Sequence, residues 1–108
     1  MEVKHFIEDE TLIVAPCGKL DTFSAPEFGA EFEKLLQSEL KSCLLDLSEV
    51  TFLSSSGLKV LLAGAKISKQ KGIKYGVYGM KEMVSDVFFL SGFNNFIDSF
   101  ATKEEALA

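Results

Sequence analysis

The chain has 108 residues and a formal net charge of −5, with 47% hydrophobic and 25% charged residues, two Pro and eight Gly. That size holds one hydrophobic core, and that composition excludes a collagenous, low-complexity or disordered chain. Uncharged runs such as Val50–Leu58 fall far short of the roughly 20 apolar residues a membrane span needs.

Lys4–Ile7 and Thr11–Pro16 are short apolar or β-branched runs separated by Glu8-Asp9-Glu10. They predict two strands in an antiparallel hairpin, broken at Gly18-Lys19-Leu20-Asp21. Ser24-Ala25-Pro26-Glu27 has the form of a helix start, with Ser24 as cap, Glu27 completing a capping box and Pro26 in the first turn. Phe28, Phe32, Leu35 and Leu36 follow at helical spacing, so an amphipathic helix is expected to about Leu40. Cys43–Leu47 reads as a buried central strand, and Val50–Ser56 as the connection to a second helix. From Gly57 onward Leu58, Leu61, Leu62 and Ala65 form the apolar stripe, with Lys59, Lys66 and Lys69 on the wet face. Lys71-Gly72 should end that helix with a left-handed glycine cap. Ile73–Tyr78 is a further strand. A third helix then carries Met83, Val84, Val87, Phe88 and Leu90 as apolar positions and closes at Gly92. Phe96-Ile97 is a brief strand, and Thr102–Glu105 is a capping box for a short terminal helix. Strands alternate with helices after the hairpin. The expected fold is therefore α/β: one compact domain over residues 1–108, a mostly parallel, mixed β-sheet and about four helices.

Charge is unevenly divided along the chain. Residues 1–49 carry eleven acids and four Lys, residues 59–81 six Lys and no acid, and residues 82–108 five acids and one Lys. All eleven cations are Lys. An acidic chain without Arg is poorly suited to nucleic acid, so no such partner is expected. The basic stretch reads first as the solvated face of a helix and the turn after it. The charged start Met1-Glu2-Val3-Lys4-His5 lacks the pattern of a signal peptide, and the expected setting is cytoplasmic. Cys17 and Cys43, with the single His5, cannot supply the four ligands of a zinc site. Both read as small buried hydrophobes, and a disulfide is disfavoured in the cytosol.

The residues give little support to catalysis. The sole His sits in the first strand, and the G-x-S-x-G, G-x-x-x-x-G-K-[ST] and G-x-G-x-x-G patterns are all absent, so neither an activated nucleophile nor a phosphate loop is indicated. Asp21 and Asp46 are the candidate carboxylate pair, in a chain with sixteen acids. The unusual segment is Phe52-Leu53-Ser54-Ser55-Ser56-Gly57-Leu58, with three hydroxyls between a strand and a helix. One Ser suffices as N-cap. The others are either loop residues or a phosphorylation site at a helix N-terminus, where a phosphate is tolerated and adds about −1.5 to −2 charges.

Leu45-Asp46-Leu47-Ser48-Glu49-Val50-Thr51-Phe52-Leu53-Ser54-Ser55-Ser56-Gly57-Leu58 resembles the pattern D-L-S-x-V-x-F-x-D-S-S-G-L of the STAS family, the anti-sigma factor antagonists of bacteria. Gly18-Lys19-Leu20-Asp21, Leu90-Ser91-Gly92-Phe93 and Glu104-Glu105-Ala106-Leu107 are similar to further family segments. The resemblance implies a binding switch rather than an enzyme. The unphosphorylated protein would bind an anti-sigma factor that is itself a Ser/Thr kinase and so free the sigma factor; phosphorylation would end binding and a Ser phosphatase would reset it. By position it implies Ser55 as phosphoacceptor with Ser54 second, and Asp21, Ser54, Ser56, Gly57 and Lys59 on the partner surface. It implies no cofactor and no metal. The acid that precedes the acceptor in the family is Ser54 here. The runner-up is therefore a STAS interaction module that is not phosphorylated, in a stress-signalling, lipid-transport or transporter-associated complex. A third alternative is a small phosphate- or nucleotide-binding enzyme using the helix N-terminus at Ser56-Gly57, for which Lys59 and Asp21 are a thin supply of the further anchors that phosphoryl transfer needs.

Overall fold

The computed structural model describes Met1–Ala108. Its elements are β1 (Glu2–Glu8), β2 (Thr11–Leu20), α1 (Ala25–Leu35), β3 (Ser42–Asp46), β4 (Val50–Leu53), α2 (Ser55–Lys71), β5 (Lys74–Tyr78), α3 (Glu82–Leu90), a 3-10 turn at Phe93–Asn95, β6 (Asp98–Phe100) and α4 (Lys103–Leu107). The sheet runs β1-β2-β3-β5-β6, and β4 joins it by pairing with β2. Only β1 and β2 are antiparallel. The expected mixed α/β sheet with its N-terminal hairpin and four helices is what the chain forms. The hairpin turns at Asp9 and Glu10, both with positive φ (51° and 64°); this backbone matches the twist of the strands it joins.

β2 departs from expectation most usefully. It does not break at Gly18 but continues to Leu20, with an irregularity between Gly18 and Lys19. Thr11–Val14 pair with Ser42–Leu45 of β3, and Gly18–Leu20 pair with β4. Gly18 has φ +104°, a conformation that glycine adopts cheaply. The bulge re-aims the strand so that one strand serves two neighbours. The Val50–Ser56 connection is accordingly a strand over its first four residues, Val50–Leu53.

Other boundaries move as well. α1 ends at Leu35 rather than near Leu40, because its apolar face ends with buried Leu36 and the next three residues, Gln37–Glu39, are exposed. The end tightens through Gln37 N–H to Lys34 O and Ser38 N–H to Leu35 O, and the Lys71 ammonium donates to the Leu36 and Ser38 carbonyls. Phe96-Ile97 is not a strand. Those residues follow the 3-10 turn, Ile97 enters the core, and β6 begins one residue later. On α3 only Val84 and Phe88 are buried, so Met83, Val87 and Leu90 are not core positions. Gly72 is the left-handed cap of α2 (φ 70°) and Thr102 accepts from Glu105 N–H, both as expected.

The core lies between the helices and one face of the sheet. Phe28, Phe32, Leu58, Leu61, Val84 and Phe88 pack on Leu12, Val14, Cys43, Leu45, Val50 and Val77. The alternate residues Ile13, Leu44 and Tyr78 form a smaller cluster on the other face, beneath Phe100 and Ala106. Burial on both faces makes β2 and β3 read as continuous apolar runs. Cys43 is buried, whereas Cys17 is only half-buried, which corrects its reading as a core residue; both are free thiols. Cys43 pairs with Leu12, not Cys17.

α2 reaches the core at Gly64. A Cβ there would stand 2.5 Å from Phe32 Cε2 and 2.7 Å from the Tyr75 oxygen, and Tyr75 O–H is already fixed by donating to Leu61 O at 2.8 Å. Gly64→Ala is therefore expected to lower stability by about 1–3 kcal/mol, the cost of overpacking, seen as a lower urea midpoint with an unchanged slope.

Burial pushes the Cys43 thiol up to about 12 and the Tyr75 hydroxyl well above its ordinary range. Tyr78 is raised to about 12, by burial first and then by the charge of Asp46. All three groups are held neutral by the fold. Their contribution is complete below the ordinary values of 9.0 and 10.0 and is lost as the pH rises from there toward 12. Urea midpoints measured against pH should be level up to about 9 and fall beyond it, and Tyr78→Phe should make that fall shallower.

Candidate functional site

The C-terminal ends of β2 and β4 lie side by side because the two strands are parallel neighbours. Each leads into a helix, and the loop after β2 (Asp21–Ser24) and the start of α2 therefore meet at one edge of the fold.

Ser54 makes the junction. It is the N-cap of α2 (φ −93°, ψ 172°), and its hydroxyl accepts from Gly57 N–H at 3.2 Å. The same hydroxyl donates to Leu20 O at 3.2 Å, and Ser54 N–H donates to that carbonyl at 2.9 Å. Gly57 fits beneath because it lacks a side chain: a Cβ would lie 2.8 Å from Leu20 O and 2.9 Å from Leu53 Cδ1. Of the three hydroxyls, the first is thus the cap. Ser55 and Ser56 stand in the first helical turn, two residues earlier than the expected start at Gly57. Ser55 is exposed and Ser56 half-buried. The Ser55 hydroxyl is bonded to nothing in the chain and points from a helix N-terminus that has no acid in its first turn.

Across the junction, Asp21 shapes the other loop. Its Oδ1 accepts from the backbone N–H of Phe23 and of Ser24, each at 3.0 Å. Ser24 does not cap α1 with its side chain. Its hydroxyl donates to Lys19 O at 2.7 Å and accepts from Asp21 N–H at 3.0 Å. The expected capping box does not form, because the Ser24 hydroxyl is taken up by Lys19 O and Asp21 N–H, while the Asp21 carboxylate closes an Asp-centred turn on the N–H groups of Phe23 and Ser24. The Ser24 N–H is the main cause that holds the Asp21 carboxyl below its ordinary value, so this turn is intact above that value and loosens as the pH falls through the lowered one. The turn presents Phe23, which is 93% exposed.

Asp21, Ser54, Ser55, Ser56, Gly57 and Lys59 are therefore brought to one edge. Lys59, one turn after Ser55, shares with Ser56 and Val60 an open groove whose other wall is Thr22, Pro26 and Gly29. Sequence reasoning missed Phe23, whose only signal is an aromatic between polar neighbours with no periodic partner. Asp46 lies elsewhere in function: its Oδ1 accepts from Ser48 N–H and Oγ at 3.0 and 2.6 Å, closing the turn between β3 and β4. No three His, Cys, Asp or Glu residues cluster as metal ligands.

The family model of the STAS domain matches residues 3–106. The anti-sigma-B factor antagonist of Bacillus subtilis (strain 168) is 28% identical over 106 residues, covering 96% of this chain and 93% of that protein. The crystal structure of an anti-sigma factor antagonist from Mycobacterium paratuberculosis aligns with a TM-score of 0.90 at 24% identity, over 98% of this chain and 90% of its own. SpoIIAA, a Bacillus cell fate determinant, aligns in its unphosphorylated form at a TM-score of 0.81 and 20% identity, covering 98% of this chain and 93% of its own. Its phosphorylated form aligns at 0.73 and 19% identity, over 98% and 96%. At these identities the structural likenesses speak to the fold.

Ser54→Ala should cost about 0.5–2 kcal/mol, the worth of a helix cap. Ser54→Asp keeps the acceptor for Gly57 N–H and adds a charge favoured at the helix start, but a carboxylate has no proton for Leu20 O. Urea denaturation should therefore place Ser54→Asp between the Ala variant and wild type or slightly above wild type. An Ala variant as stable as wild type would show that the cap contributes nothing.

Proposed function

The chain belongs to the STAS domain family, and we propose that within it this protein is an anti-sigma factor antagonist worked by phosphorylation of Ser55. The observation that carries the proposal is the Ser55 hydroxyl, exposed and unbonded on a helix start that Ser54 and Gly57 fix to β2. The relatives support it: the Bacillus subtilis protein bears that function in its name, and SpoIIAA is known both with and without its phosphate.

The partner is an anti-sigma factor that is also a Ser/Thr kinase. In the unphosphorylated state the kinase docks on Phe23, Ser56, Gly57 and Lys59, with Asp21 holding the Phe23 loop in shape, and the sigma factor is released. The docked kinase transfers the γ-phosphoryl group of ATP to Ser55 Oγ, the hydroxyl proton passing to a base on the kinase and ADP leaving. A phosphate of about −1.5 to −2 charges then occupies a neutral surface. The helix N-terminus stabilises it by about 0.3–1 kcal/mol, so the fold survives while docking is repelled. A Ser phosphatase restores the hydroxyl. Ser54 is the second candidate acceptor, but its hydroxyl already serves as cap and as donor to Leu20 O. The setting of this cycle is the cytoplasm.

A second reading is favoured by one residue. Ser54 supplies a hydroxyl where the family carries an acid, and a module that docks without ever being phosphorylated has no use for that charge.

Intact mass after incubation with ATP, magnesium and host extract separates the readings. Wild type should gain one phosphoryl group and Ser55→Ala none. Uptake by both moves the acceptor to Ser54, and uptake by neither, in an extract active on a control substrate, rejects the switch in favour of the unphosphorylated module.

A further inference from the structure

α3 carries an apolar surface that nothing in the chain covers. On α3, Met83 is 69% and Leu90 89% exposed, and Val87 stands between them at helical spacing. The segment after the 3-10 turn adds Phe96, 70% exposed. Isolated exposed apolar residues are ordinary, but a stripe of this kind marks a surface that something covers.

Two features of charge say what covers it. Phe96 and Asn95 form one wall of a groove whose other wall is α2, through Leu62, Ala65, Lys66 and Lys69. The groove has an apolar floor and two cations, and no acid lines it. The α3 stripe has the opposite character. Glu82 and Asp86 precede Met83 and Val87, and no cation lies on that helix. The chain's ion pairs are Lys41 with Glu10 and Lys103 with Glu8, so Lys66, Lys69, Glu82 and Asp86 all lack a partner within it.

The geometry points to a second copy of this chain as the occupant, with the α3 stripe of each copy seated in the α2 groove of the other. Met83, Val87 and Leu90 cover Leu62, Ala65 and Phe96, while Glu82 and Asp86 meet Lys66 and Lys69. The groove wall at Asn95 and Phe96 follows α3 directly in the chain. Both halves of the contact thus sit on one side of the molecule, and reciprocal seating closes a two-fold dimer in which each contact occurs twice. The inference does not use Ser55 and stands independently of the phosphorylation reading.

Sedimentation equilibrium tests it between about 1 µM and about 1 mM, the span of modest interfaces. Wild type should form dimers that weaken with added salt. Leu90→Glu should raise the dissociation constant by about tenfold or more, the equivalent of ~1.4 kcal/mol. Lys66→Glu with Lys69→Glu, and separately Glu82→Lys with Asp86→Lys, should each weaken the dimer, and a mixture of these two proteins should associate more tightly than either alone. All five positions are exposed, and far-UV circular dichroism should show every variant folded. A wild-type chain that stays monomeric over the whole range overturns the proposal and leaves the surface to a different protein. So does a dimer that Leu90→Glu and both charge reversals leave intact.

Discussion

The loop edge of this protein depends on one carbonyl. Leu20 O accepts both the N–H and the hydroxyl of Ser54, and the missing side chain of Gly57 lets α2 close over it. That contact exists only because β2 carries on past Gly18 and pairs with β4. A strand that ended at Gly18 would leave Leu20 in a loop, and the helix start would have no fixed neighbour. Bulge, extra strand, cap and glycine therefore form one device, and the exposed Ser55 hydroxyl stands at its edge. A hydroxyl to be recognised by a docking protein gains from such a platform, because little of it has to be ordered at the moment of binding.

The same device explains which parts of the fold were legible in the sequence. Long periodic segments could be read: α2 from Leu58, Leu61 and Leu62, α1 from Phe28 and Phe32, and the central strand β3 from its apolar run. Glycine and threonine caps at Gly72 and Thr102 were local chemistry and could be read too. β4 was not legible, since Val50–Leu53 has two buried and two exposed residues and its partner, the end of β2, is distant in sequence. Ser24 misled because its hydroxyl can serve either as a helix cap or inside the preceding turn, and only the fold, by bringing Lys19 O and Asp21 N–H within reach, decides for the turn. α3 misled for a different reason. Six apolar residues on nine positions suggest a buried helix, and only two of them face the core.

At the site, motif spacing brought Ser54, Ser55, Ser56, Gly57 and Asp21 to notice, but not their division of labour. Three adjacent hydroxyls look equivalent in sequence. The structure separates them by burial and bonding: Ser54 is tied twice, Ser56 faces the α1–α2 groove, and Ser55 is unbonded. Asp21 proves to be a positioning residue whose carboxylate is engaged by its own loop. Phe23 is what that loop exposes, and its polar neighbours Thr22 and Ser24 are the one mark it carries in the sequence.

Ser55, Lys59, Leu62, Lys66 and Lys69 recur along α2 at steps of three or four residues, so the proposed switch and the proposed copy-to-copy groove occupy two ends of one helical stripe. Whether a phosphate at one end disturbs the other is a question of distance. Eleven residues separate Ser55 from Lys66, which at 1.5 Å per residue is roughly 16 Å. The screening length in physiological salt is about 8 Å. Two such lengths reduce a direct interaction between exposed charges to a small residue, whereas Lys59, one turn away at roughly 6 Å, lies inside the first. A charge placed on Ser55 therefore acts on the surface shared by Phe23, Ser56 and Lys59 and leaves Lys66 and Lys69 in the far groove nearly untouched. The two ends of α2 are electrostatically separable although they share a helix, so the lysines of the groove can hold their proposed partner charges while a docking protein is gained or lost at Ser55.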